Sequence, residues 1–102
     1  MQEKVKNFNQ NKNSHKKPMP VSARLLDIQS ELGELSKEYL SATKYGTEKF
    51  TPNNDFKLEF GDTLYSLLSL AVETNINAEE CLDKVLKKYT ERLNYKNNMG
   101  SN

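Results

Sequence analysis

Read as a helix, residues 55–75 are apolar on almost every side, and no other stretch constrains this chain as much. At about 100° per residue, Phe56, Leu58, Phe60, Leu64, Tyr65, Leu67, Leu68, Leu70, Ala71 and Val72 spread widely around the axis. The remaining wedge holds Glu59, Asp62, Ser66, Ser69 and Glu73, with no lysine or arginine. A helix of this kind is expected to be buried on most sides. Its carboxylates then lie inside or at the edge of a core, where an unpaired charge is costly. A bound divalent cation is the simplest compensation.

Two further helices are expected around it. One runs from about Ala23 to Thr43, with Ser22 as N-cap and Val21 and Leu26 as a hydrophobic staple. Its apolar face is Leu25, Ile28, Leu32, Leu35 and Tyr39. Gly46 and the Pro52-containing segment close it, and Asn53 or Asn54 caps the central helix, with Asp55 at the positive end of its dipole. The other begins after Asn77, which forms a capping box with Glu80, while Ile76 and Cys81 take the staple positions. Its apolar face is Leu82, Val85, Leu86, Tyr89 and Leu93. Residues 1–20 read as a polar arm, mostly loop, in which Val5 and Phe8 can anchor a short turn of helix against the rest. The basic run Lys12, His15, Lys16 and Lys17 reads as solvated. Residues 96–102 read as a frayed tail.

No segment alternates with strand period, so the fold class is all-α: a compact bundle of three main helices with room for a short N-terminal one. The helical domain spans residues 21–95. With 102 residues and wide apolar faces, one subunit cannot hide all its apolar surface, and completion by self-association is expected. A net charge of +1 gives no concentrated basic surface for nucleic acid. No apolar run approaches the roughly 20 residues of a membrane span, and a single cysteine excludes an intrachain disulfide. A cytoplasmic protein is expected.

The chemistry-bearing residues are acidic. Glu31, Glu34 and Glu38 fall at i, i+3 and i+7 on the first main helix, and Glu59 and Asp62 repeat the i, i+3 spacing on the next. Two antiparallel helices presenting such pairs can set four oxygen donors around one point. That suits Mg²⁺, with Mn²⁺ as surrogate. One Cys and one His give soft metals no ligand set, and the Glu-x-x-His pairs of di-iron bundles are missing. Lys84, Lys88 and Arg92, spaced by four, form a row on the last helix. It can either meet phosphates or cover the apolar stripe with its stems. No glycine-rich phosphate loop and no activated serine is present.

Ser30-Glu31-Leu32-Gly33-Glu34-Leu35, followed by Leu58-Glu59-Phe60-Gly61-Asp62-Thr63-Leu64, resembles the paired motif of the MazG-like nucleotide pyrophosphohydrolases, part of an all-α NTP pyrophosphatase superfamily. Twenty-four residues separate Glu34 from Glu59, and the resemblance covers roughly Val21 to Leu93. It implies that Glu31, Glu34, Glu59 and Asp62 bind Mg²⁺ and serve catalysis, with Glu38 assisting from the next turn. It also implies that Lys84 and Arg92, and less directly Lys88, contact phosphate. The implied reaction cleaves a nucleoside triphosphate between its α- and β-phosphates to give a monophosphate and pyrophosphate, in a homodimer or homotetramer. Where the family often has a further Glu before the first motif this chain has Ser30, Lys88 stands where an Asn is frequent, and there is no Trp to stack a base. Tyr65, Tyr39 and Phe8 are the aromatic substitutes in view. The alternative reading is a helical oligomer of the same fold that binds nucleotide, or regulates, without turnover.

Overall fold

The computed structural model describes residues 1–12 and 19–100, which form four α-helices and, among these residues, no strand. Helix α1 spans Gln2–Lys12, α2 Val21–Ala42, α3 Asn54–Glu73 and α4 Ala78–Gly100. The all-α expectation holds. His15, Lys16 and Lys17 of the basic run lie outside the described residues.

The first correction concerns the N-terminal arm. The sequence reads there as mostly loop, with room for a short helix; the arm carries a helix of eleven residues. Helix α1 packs on α3 through the two anchors the sequence offers: Val5 is half-buried, and the Phe8 ring meets Tyr65 edge-on, centroids 5.9 Å apart. Gln2 adds a clamp, its Nε2 donating to the Ile76 carbonyl at 2.6 Å and its Oε1 accepting from the Ala78 N–H at 2.8 Å. That second bond satisfies one of the orphan donors at the start of α4. α1 is thereby tied to the turn between α3 and α4.

Helix ends follow local chemistry with small shifts. α2 starts at Val21, with Pro20 rather than Ser22 in the cap position and no side-chain cap. The Pro20 carbonyl accepts the first helical bond from the Arg24 N–H, and proline's fixed φ suits an extended residue there. Thr43 ends α2 and is fully buried; its hydroxyl donates to the Tyr39 carbonyl and accepts from the Gly46 N–H, both at 2.9 Å. Around it Lys44, Tyr45 and Gly46 all take positive φ, which only the glycine adopts without cost. Asn53 caps α3, accepting from the Phe56 N–H at 2.8 Å. Asn77 caps α4 through the Glu80 N–H at 3.0 Å. Ile76 and Cys81 are both exposed, so the staple expected there shields neither. α4 continues to Gly100, past the tail expected from Lys96.

The second correction concerns α3, which is not buried on most sides. Its buried residues are Ser66, Leu68, Ser69 and Ala71, whereas Leu58, Phe60 and Leu67 are more than half exposed. Ser66 and Glu73 of the polar wedge face α2 and Ser69 faces α1, with Leu68 and Ala71 buried alongside. α2 and α3 run antiparallel along a polar seam, and α1 lies against α3. Helix α4 stands away from this compact unit: every residue from Glu79 to Asn98 is exposed. The molecule accordingly measures 62 × 40 × 23 Å, with a radius of gyration of 18.2 Å. A compact domain of this length has about 13 Å.

Candidate metal centre

The seam has two parts. Toward the start of α2, Arg24 is buried and its guanidinium grips α3: Nε donates to both oxygens of Glu73 at 3.2 Å, and Nη2 donates to Glu73 Oε1 at 2.7 Å. Nη1 donates to Asp27 Oδ2 at 3.3 Å, and the Ser66 hydroxyl donates to the same oxygen at 2.8 Å. The hydrogen bonds that Arg24 donates to Glu73 raise its pKa above the ordinary value, against a burial cost. Every buried side-chain N or O among the described residues has a partner, so this charged network is fully satisfied.

One helical turn beyond Asp27 the pattern changes. Glu31 of α2 meets Glu59 and Asp62 of α3, and one carboxylate oxygen from each lies within 4.8 Å of the other two. Glu31 and Glu59 are half-buried, Asp62 exposed. Among the described residues no lysine or arginine forms an ion pair with any of the three. Desolvation, then the negative charges of Asp62, Asp27 and Glu34, push the Glu31 carboxyl above its ordinary value. Desolvation, followed by Asp62, Glu31, Glu34 and Glu38, pushes Glu59 up likewise. Uncompensated carboxylates on one spot repel, and a cation between them removes the repulsion.

The donor set fits a hard divalent ion. Ligands of an octahedral Mg²⁺ lie about 2.9 Å apart when adjacent and about 4.2 Å when opposed, so side-chain rotation has to draw the three oxygens closer together to share one ion. Three protein ligands also leave positions for water and phosphate oxygens.

Of the four carboxylates expected together, the structure gathers three. Glu34 is exposed and leans to Lys37, its oxygen 3.4 Å from the ammonium. Glu38 is half-buried further along α2 and reaches the cluster only through its charge at Glu59, whereas the charge of Glu34 acts on both Glu31 and Glu59. Lys84, Lys88 and Arg92 are exposed on α4, and none of them lines the cleft that Glu31 and Asp62 line. Lys88 and Arg92 instead border a shallow depression on α4 itself.

Glu31 and Asp62 sit at one end of a cleft of about 1070 Å³ between α1, α2 and α3. Tyr65 lines it, with its hydroxyl bonded to Asn9 Oδ1, while Asn9 Nδ2 donates to Ser69 Oγ at 3.1 Å. Tyr39 is occupied elsewhere, its ring 5.0 Å from that of Phe50. Asp27 and Arg24 also line this cleft and were not singled out from the sequence. The available signal was spacing: Asp27 precedes Glu31 by one turn on the same face, and Glu73 in the wedge required a cation from a neighbouring helix.

The chain is 36% identical over 78 residues to the uncharacterized protein YpjD of Bacillus subtilis (strain 168). The match covers 74% of this chain and 66% of that protein's length, just under two thirds. No family model matches the chain, and no solved structure matches it significantly. Among the described residues, no helix is long and apolar enough to cross a membrane.

Proposed function

We propose that the chain is a Mg²⁺-dependent nucleoside triphosphate pyrophosphohydrolase of the MazG-like kind, releasing a nucleoside monophosphate and pyrophosphate and serving to clear nucleotides from the cytoplasmic pool. The observation that carries this reading is the convergence of Glu31, Glu59 and Asp62 within 4.8 Å at the end of a cleft large enough for a nucleotide. These are three of the four residues that the paired motif assigns to metal, Glu34 being the fourth. Glu31, Glu59 and Asp62 hold the ion, and Glu34 and Glu38 add negative charge around it. When bound, Mg²⁺ supplies polarisation of phosphoryl oxygens and acidifies water. The ion and protons compete for Glu31 and Glu59, so metal affinity falls as these carboxyls protonate at low pH.

Self-association belongs to the same proposal. Leu58, Phe60 and Leu67 on α3, and Leu82, Leu86, Tyr89 and Leu93 on α4, are each more than half exposed. A homodimer or homotetramer covers these faces and brings the row Lys84, Lys88 and Arg92 next to a neighbouring subunit.

The decisive experiment is product analysis on a panel of ribo- and deoxynucleoside triphosphates with Mg²⁺ and with EDTA. Metal-dependent formation of monophosphate and pyrophosphate is expected. Release of single phosphate refutes the cleavage position. No turnover by folded protein favours the nucleotide-binding or regulatory oligomer.

A further inference from the structure

The cleft has a second wall, α1, to which the motif resemblance gives no role. Lys6, Asn9, Gln10 and Lys12 line it, facing the α2–α3 side that carries Asp27, Glu31, Asp62 and Glu73. Helix α1 is held in place by Asn9 on Tyr65 and Ser69, by Phe8 on Tyr65, and by the Gln2 clamp. It is therefore a fixed wall.

The charges across the cleft are unevenly matched. Arg24 neutralises Glu73 and Asp27. Glu31 and Asp62 have no cationic partner among the described residues, and neither Lys6 nor Lys12 has a carboxylate partner there. The ammonium of Lys12 lies 5.9 Å from the centroid of the Phe8 ring. Carboxylates and lysines thus line one cleft without forming ion pairs. A metal and then an anion between them would satisfy both walls: the carboxylates would hold the cation, and the lysines would take phosphate charge that the cation leaves unbalanced. The α4 cations are outside this cleft.

We propose that α1 is the phosphate-binding wall of the site, with Lys6 and Lys12 holding the polyphosphate of the substrate where the motif resemblance assigns Lys84 and Arg92. This rests on the phosphohydrolase reading, and the test separates the two. On the full-length chain, Mn²⁺ binding and inorganic tripolyphosphate binding in the presence of Mg²⁺ are measured by calorimetry. The variants are Lys6→Ala/Lys12→Ala and Lys84→Ala/Arg92→Ala, which remove the same net charge. Both pairs are exposed, and circular dichroism checks that helicity is kept.

The α1 pair is expected to leave Mn²⁺ affinity within about twofold and to weaken tripolyphosphate at least tenfold. The α4 pair is expected to change neither by more than about threefold, and Lys6→Arg/Lys12→Arg to restore binding. If the α1 variant binds tripolyphosphate like the wild type, the α1 proposal is overturned while the metal site stands. If the wild type binds neither Mn²⁺ nor tripolyphosphate, the phosphohydrolase reading fails and takes this proposal with it.

Discussion

Glu31 and Glu59 illustrate how a carboxylate can oppose the fold that positions it. Both have their pKa raised on folding, first by desolvation and then by neighbouring negative charge. A carboxyl with a raised folded pKa binds its proton more tightly when folded. The penalty is therefore absent below the ordinary glutamate value, grows as pH rises through the folded value, and is complete above it. Without metal at neutral pH, Glu59→Gln is expected to melt higher than the wild type, with the difference closing as pH falls below the ordinary glutamate range. Addition of Mg²⁺ at neutral pH is expected to raise the wild-type melting temperature and to leave Glu59→Gln nearly unmoved. Thermal melts over pH with and without Mg²⁺ check both; equal Mg²⁺ responses would sink the metal site. Arg24 is the opposite case. Its removal strands Glu73 and Asp27 in the seam, and Arg24→Ala is expected to cost about 3 kcal/mol in denaturant unfolding.

At the scale of elements, Gly33 and Gly61 are instructive because both lie within helices, are exposed, and would place a Cβ in open space. Within one chain nothing requires glycine there. Each Gly→Ala change is expected to stabilise dilute monomer by about 0.5–1 kcal/mol. If either change instead weakens self-association in sedimentation, the glycine is a point of close approach between subunits. Helices were largely legible in the sequence: Asn53 and Asn77 cap as their positions suggest, and Thr43 ends α2 where Gly46 announces a turn. Helix α1 was legible only as a short possibility anchored by Val5 and Phe8, because eleven mostly polar residues carry little periodic signal and its placement depends on Asn9, Gln2 and Phe8 meeting distant partners. Of the acidic residues, spacing brought out Glu31, Glu59 and Asp62. It could not exclude Glu34, whose side chain is free to choose Lys37 over the cluster.

For the whole molecule, the apolar amphipathic face of α4 has little to pack against in its own chain. With Leu82, Leu86 and Leu93 more than half exposed, α4 is expected to gain protection only on assembly. Hydrogen exchange at varied protein concentration checks this: amides of α4 should slow as concentration rises, while those in the α2–α3 seam change little. Concentration-independent protection in α4 would overturn the oligomer.

Arg24 with Glu73, Ser66 with Asp27, and Glu31 with Glu59 and Asp62 are successive rungs of one antiparallel ladder. A slip of one turn between the helices would unmatch every rung together. Alignment and chemistry thus share a single degree of freedom, as the teeth of a vernier share one scale. Replacing Arg24 would be felt at the carboxylates a turn or two away, so the support and the candidate site respond to one change together.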